Sequence, residues 1–191
     1  LPMTDPFVVD ESRPWFTRAA GWPDEVPHNL EFPELTLGDM LRQSARKYPS
    51  YQVAWSLETF ITYRELDELV DRLATALADL GIRKGDVVAM LLPNSFQYVI
   101  GYYAVARIGA VVTGVNPTYK PGEVLHQLRT VNARALIVLD ALYESTVAPI
   151  VGRCELDFII GTNLADLAHG LGMRRLLGKL LGKIPKGALP P

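Results

Sequence analysis

The stretch that most constrains the fold runs from residue 84 to residue 119, KGDVVAMLLPNSFQYVIGYYAVARIGAVVTGVNPTY. Residues 86–92 form an apolar run rich in valine and leucine, and a second apolar run follows at 110–115. Between them, residues 96–108 repeat apolar side chains at helical spacing, and Gly109 stands where a helix end favours a residue that tolerates positive φ. Two apolar strands joined by a helix are what a parallel sheet buried on both faces requires.

The alternation of strand and helix continues along the chain. Further strands are predicted at 135–139 and 157–160, and helices at 123–131 and 142–151. Upstream, Thr36 is suited to cap a helix over 37–48, and residues 53–55 and 60–62 predict a small hairpin. Thr62 and Glu65 have the spacing of a capping box, which begins a helix that runs to Leu80. The sequence therefore predicts an α/β fold with a doubly wound, mostly parallel sheet and a small β-hairpin near the N-terminus.

Three parts are predicted along the chain: an extended arm at 1–35, an α/β subdomain at 36–161 and a basic amphipathic segment at 162–191. The arm carries six prolines among five large aromatic residues, which indicates a segment that lies on a surface, either of its own domain or of a second subunit in a homodimer. In the last segment, Arg and Lys fall opposite a leucine-rich side, and no acid follows Asp166. Three interpretations stay open for residues 170–187: packing on protein, peripheral contact with an anionic membrane, and a linker.

Composition excludes several classes of protein. With 191 residues, of which 49% are hydrophobic and 21% charged, the chain can bury a sizeable core. The net charge of −2 argues against a nucleic-acid binder. One cysteine, Cys154, allows no internal disulfide, and we interpret it as a small buried hydrophobic residue in a reducing compartment. We find no signal peptide and no apolar run long enough to span a bilayer, so a cytoplasmic location is expected, with the inner face of the membrane as a further peripheral site.

Catalytic patterns are absent from the sequence, and we assign no catalytic, cofactor-binding or metal-binding residue. GAVVTG at 109–114 lacks the Gly-Lys-Ser/Thr of a phosphate-binding loop, and Ser95 lacks the flanking glycines of a hydrolase nucleophile. Asn94 and Ser95 are interpreted as helix caps, supported by Gln97 three residues after Asn94. His28, His126 and His169 are widely separated and have no metal-ligand spacing with Cys154, and His126 is interpreted as structural or exposed. The acidic cluster Asp67, Glu68 and Asp71 is interpreted as a solvated helix face.

The predicted sheet still indicates where a ligand would bind. Parallel α/β sheets bind ligands beyond the carboxyl ends of their strands. The positions expected at that rim are Pro93–Asn94, Asn116–Pro117, Asp140 and Gly161.

Several short stretches, taken together and in order, resemble the adenylate-forming (acyl-CoA synthetase, AMP-binding) superfamily. They are TYREL at 62–66, GDVVA at 85–89, LPNS at 92–95, GAVV at 109–112, and NPTY at 116–119 followed by Glu123 and HQL at 126–128. The last stretch is similar to the long-chain fatty-acid–CoA ligases in particular, and so are three short stretches of the arm: RPW at 13–15, WP at 22–23 and VP at 26–27.

The resemblance implies a ligase that uses ATP, Mg²⁺ and coenzyme A. A fatty-acid carboxylate attacks the α-phosphate to give acyl-adenylate and pyrophosphate, and the coenzyme A thiol then displaces AMP. In this family the reaction uses a Ser/Thr/Gly-rich loop that ends in lysine, a later acidic motif and a C-terminal lid, none of which is found in this sequence. The resemblance therefore implies an N-terminal fragment that is inactive by itself and holds no cofactor tightly. Two alternatives stay open: a ligase for an aryl or shorter acid, and a stand-alone α/β binding or membrane-docking module.

Overall fold

The computed structural model describes residues 15, 20–23, 25–27, 30–56 and 59–167. The chain divides into two units, residues 1–35 and 36–191. In the first unit, the Val26 amide donates to the Pro23 carbonyl at 3.1 Å, and the Trp22 indole Nε1 donates to the Val26 carbonyl at 2.9 Å. Most of the predicted arm, and residues 168–191 of the amphipathic segment, lie outside the described residues, so the expectations for them stay predictions.

The second unit begins with a helix, a hairpin and a second helix. Helix α1 spans Leu37–Lys47, strands β1 and β2 span Gln52–Ser56 and Thr59–Thr62 in antiparallel pairing, and α2 spans Tyr63–Asp79. Thr36 caps α1 as predicted. The capping box of α2 is also confirmed, because the Thr62 hydroxyl accepts from the Glu65 amide at 3.3 Å and the Thr62 amide donates to the Glu65 carboxylate at 2.7 Å.

A four-stranded sheet forms the centre of the unit. Its strands are β3 (Val87–Leu91), β4 (Val111–Gly114), β5 (Ala133–Leu139) and β6 (Phe158–Thr162). The order across the sheet is β4-β3-β5-β6, and every neighbouring pair is parallel. Helix α3 (Phe96–Arg107) connects β3 to β4, and α4 (Pro121–Thr130) connects β4 to β5. The predicted parallel α/β sheet with a small antiparallel pair is thus confirmed.

The sheet is covered on both faces, as the apolar runs predicted. Side chains of β3 alternate between two apolar clusters: Val88 and Met90 pack with α1, α2 and α3, whereas Ala89 and Leu91 pack with α4 and with residues 143–150. All four are fully buried. A strand with no polar face is therefore explained by its central place in a doubly wound layer.

The predicted helix over 142–151 does not form as one element. A helical turn at Asp140–Leu142 widens into a π-helical stretch at Tyr143–Val147, and a separate 3₁₀ turn follows at Val151–Arg153. Pro149 explains the break, because it has no amide hydrogen to continue a helical ladder. The wide turn, closed by a bond from the Ala148 amide to the Tyr143 carbonyl at 2.9 Å, allows both Tyr143 and Val147 to be buried.

An arginine of α3 connects three helices, which the sequence did not reveal. The Arg107 guanidinium lies 2.5 Å from the Asp67 carboxylate and 2.7 Å from that of Asp71, both on α2, and it also donates to the Gly38 carbonyl of α1 at 3.4 Å. Asp71 accepts a further bond from Arg42 of α1 at 2.7 Å. The interpretation of the acidic cluster as a solvated face is therefore wrong for Asp67, whose side chain is 20% exposed, whereas Asp71 and Glu68 are exposed and Asp71 is also ion-paired.

No helix among residues 30–56 and 59–167 is long and apolar enough to cross a bilayer.

Candidate functional site at the carboxyl edge of the sheet

The carboxyl ends of the four parallel strands meet at one edge of the sheet. Pro93 and Asn94 follow β3, Asn116 and Pro117 follow β4, and Asp140 follows β5, so these predicted rim positions share that edge. The chain leaves β3 toward β4 on one side and then crosses to β5 on the other. The connections therefore diverge between β3 and β5, which is the topological switch point where doubly wound sheets place their ligands.

The fourth predicted rim position, Gly161, is wrong by two residues. Gly161 lies inside β6, paired in register with Val138 of β5, and the strand continues to Thr162. Asn163 is the first residue beyond the strand, and only 8% of its surface is exposed.

Asn163 joins three elements through its hydrogen bonds. Its carbonyl accepts from the buried Gln97 amide of α3 at 2.8 Å, and its side-chain Nδ2 donates to the Asp140 carboxylate at 2.8 Å. Its Oδ1 accepts from the Ala165 amide at 3.0 Å, and its own amide donates to the Asp166 carboxylate at 2.8 Å. A polar side chain buried in this way is stable only because each polar atom has a partner. The network therefore fixes how the chain turns after β6.

Sequence reasoning missed Asn163 and the role of Gln97, although a signal was present. Each strand of the parallel sheet is followed, one to three residues after its end, by Asn or Asp: Asn94, Asn116, Asp140 and Asn163. Such side chains bond readily to nearby backbone and favour sharp turns. Had the last strand been extended by two residues, the same pattern would have indicated Asn163.

Ser95 serves as a helix cap. Its hydroxyl accepts from the Tyr98 amide at 3.3 Å and donates to the Pro93 carbonyl at 3.0 Å. The predicted capping role is confirmed for Ser95, whereas Asn94 lies one residue before the cap and is exposed. Gln97 does not support Asn94 but bonds to Asn163 instead.

At the β4 end of the rim, a tyrosine lies against a glycine. A Cβ atom at Gly114 would lie 2.8 Å from the Tyr98 hydroxyl oxygen, so the close approach of that hydroxyl requires glycine. On the other side, the Gln127 amide of α4 donates to the Gly114 carbonyl at 2.9 Å and to the Thr113 hydroxyl at 3.0 Å. The end of β4 is thus held between α3 and α4.

The NPTY turn after β4 is held by its own side chains. Asn116 Oδ1 accepts from the Thr118 amide at 3.0 Å and from the Thr118 hydroxyl at 2.9 Å. The Glu123 carboxylate then accepts from the Lys120 amide at 2.8 Å, which begins α4. His126 is exposed on α4 and lines a shallow concavity of about 500 Å³ with Tyr119 and neighbouring α4 residues. These contacts explain the stretch as a structural turn.

Two polar side chains of the described rim, Asp140 and Ser95, bond to neighbouring atoms of the protein. Within residues 30–56 and 59–167 no three His, Cys, Asp or Glu side chains converge on a point where they would hold a metal. Both Asp140 carboxylate oxygens already accept, from the Ala141 amide at 2.7 Å and from Asn163, and the Ser95 hydroxyl is also engaged.

A larger concavity, of about 650 Å³, lies at the opposite, amino edge of the sheet. Arg134 there bonds Asp157 and, at 2.6 Å, Asp86. The Arg83 amide, which donates to the Asp86 carboxylate, is the largest cause that holds the pKa of Asp86 below its ordinary value, and the Arg134 guanidinium lowers it further. The pKa of Arg134 is raised, most by its bond to Asp157 and next by its bond to Asp86. These pairs join the starts of β3, β5 and β6.

Cys154 lines the same concavity and is half-buried. Its thiol donates to the Ile150 carbonyl at 3.3 Å, and burial raises the pKa of the thiol. A raised pKa keeps the group a thiol at neutral pH, which agrees with the interpretation of Cys154 as a packing residue.

Comparison with known proteins supplies the family context. Residues 41–166 match the model of the family described as AMP-binding enzyme. The chain is 33% identical over 139 residues to a long-chain-fatty-acid–CoA ligase of Bacillus subtilis, covering 73% of this chain and 24% of that protein. It is 29% identical over 181 residues to a long-chain-fatty-acid–CoA ligase of Escherichia coli O6:H1, covering 92% of this chain and 32% of that protein.

A solved structure shows the same architecture. The crystal structure of a long-chain-fatty-acid-CoA ligase from Archaeoglobus fulgidus superposes with a TM-score of 0.65 and 28% identity, covering 70% of this chain and 28% of that one. The chain thus spans about a quarter to a third of the length of the curated relatives described above.

Proposed function

Because the chain belongs to the AMP-binding enzyme family, we propose that it is the N-terminal part of a long-chain fatty-acid–CoA ligase. The observation that carries the proposal is the match to long-chain-fatty-acid–CoA ligases along 92% of the chain. The whole protein would join a fatty acid to coenzyme A at the expense of ATP, with AMP and pyrophosphate as the other products. Mg²⁺ would bind with the nucleotide and stabilise the negative charge on the phosphate oxygens during transfer.

The role we assign to this chain is structural support of the active-site cleft. Its carboxyl edge would form part of the cleft wall, with the Asn163 network fixing the path of the chain beyond β6. Because no three His, Cys, Asp or Glu side chains among the described residues converge on a metal-binding point, and the sequence has no Gly-Lys-Ser/Thr phosphate-binding loop, the reacting groups would come from polypeptide outside these residues. We accordingly propose that the chain alone is inactive.

The test compares the purified chain with the intact enzyme that contains it. Both are supplied with ATP, Mg²⁺, coenzyme A and palmitate, and AMP is measured. We expect AMP and palmitoyl-CoA from the intact enzyme and no AMP above background from the chain. Release of AMP by the purified chain in proportion to its concentration would refute the inactivity, whereas absence of acyl-CoA formation by the intact enzyme with any acid would refute the ligase assignment.

The acid substrate is resolved by the same assay. The intact enzyme is offered palmitate, octanoate and benzoate at equal concentration, and kcat/KM is compared. A preference for palmitate supports the long-chain proposal, and a preference for benzoate or octanoate replaces it with the aryl or shorter-chain alternative.

We also propose cytoplasmic residence with peripheral membrane contact through residues 170–187, on the basis of their basic amphipathic pattern. Neutralising Arg174, Arg175 and Lys179 to Gln should then reduce sedimentation of the chain with anionic vesicles.

A further inference from the structure

We draw no further inference here: the strongest candidate, the exposed aromatic face that Trp55 and Phe60 form on the β1–β2 hairpin, carries none, because the chain spans only about a quarter to a third of the length of its relatives and nothing in the structure shows what covers that face.

Discussion

The ion pair between Arg107 and Asp67 should be among the strongest polar interactions in the domain, and a double-mutant cycle measures it. Arg107→Met removes the charge but retains the apolar stem, and Asp67→Asn removes the carboxylate charge. The two groups lie 2.5 Å apart, and their side chains are 10% and 20% exposed, so water screens them weakly. We therefore expect a coupling well above that of a surface pair.

The magnitude follows from what each substitution leaves behind. A hydrogen bond to a charged group contributes about 1.5–3 kcal/mol, and breaking a buried pair costs about 3–5 kcal/mol. The lower part of that range applies, because Asp71 retains Arg42 as a partner and the buried Arg107 Nε has no hydrogen-bond partner among the described residues. We expect Arg107→Met to lower the free energy of unfolding by about 3 kcal/mol, and the Arg107–Asp67 coupling to be about 2 kcal/mol.

The assay is urea unfolding followed by circular dichroism for the four proteins of the cycle. The matched control is a second cycle on Glu68 and Arg72, which lie on the same helix at 3.8 Å with exposed side chains. Its coupling should be below about 0.5 kcal/mol. An Arg107–Asp67 coupling no larger than that of Glu68–Arg72 would refute the argument that burial and geometry make this pair strong.

Three further predictions concern the edges of the sheet. Asn163→Ala should lower the free energy of unfolding by about 2–4 kcal/mol in urea titrations, because it removes the bond to Asp140 and leaves buried polar atoms without partners. Gly114→Ala should destabilise the domain by about 1–3 kcal/mol, and Tyr98→Phe should rescue part of the loss, since the new methyl group would meet the Tyr98 hydroxyl. Asp86→Asn should destabilise the protein at neutral pH, and the difference from wild type should shrink as the pH falls below 3.8: a lowered folded-state pKa gives stability above the unfolded pKa that is lost on protonation.

Each of these has a control and a contradicting result. Asn116→Ala alters an exposed turn and should lower the free energy of unfolding by less than about 1 kcal/mol. If Asn163→Ala lowered it by no more than Asn116→Ala does, the argument from the burial of Asn163 would be wrong. Equal destabilisation by Gly114→Ala with and without Tyr98→Phe would show that the hydroxyl is not the obstacle. A constant difference between wild type and Asp86→Asn from pH 7 to pH 2 would show that the carboxylate charge does not contribute.

Local rules predicted local structure well. The Thr62–Glu65 capping box, the strand–helix–strand unit at 84–119 and the two-sided burial of β3 all depend on residues close in sequence. The helix predicted over 142–151 does not form as one element, because the chain makes a π-helical turn at Tyr143–Val147 and Pro149 has no amide hydrogen to continue the ladder.

The polar contacts that join the helices to one another and that build the candidate site are not local. Arg107 and Asp67 lie 40 positions apart, and Gln97 and Asn163 lie 66 apart. Nothing in the composition or spacing of a single sequence states which distant polar groups will meet. The rim positions could be predicted from the sequence only because a parallel sheet places the carboxyl ends of all its strands at one edge.

The strand order β4-β3-β5-β6 also dictates when the sheet can be completed as the chain is synthesised. The first neighbour of β3 to emerge is β4, so helices α1 to α3 can cover one face of this pair early. Its other neighbour, β5, arrives only after α4, and Val88 then pairs with Ala135 far along the sequence. Until that moment Ala89 and Leu91 lack the side chains that bury them in the native state. Closure of the central strand is thus a late, non-local event, and the face beneath α4 is the surface that a nascent chain must keep from unwanted association.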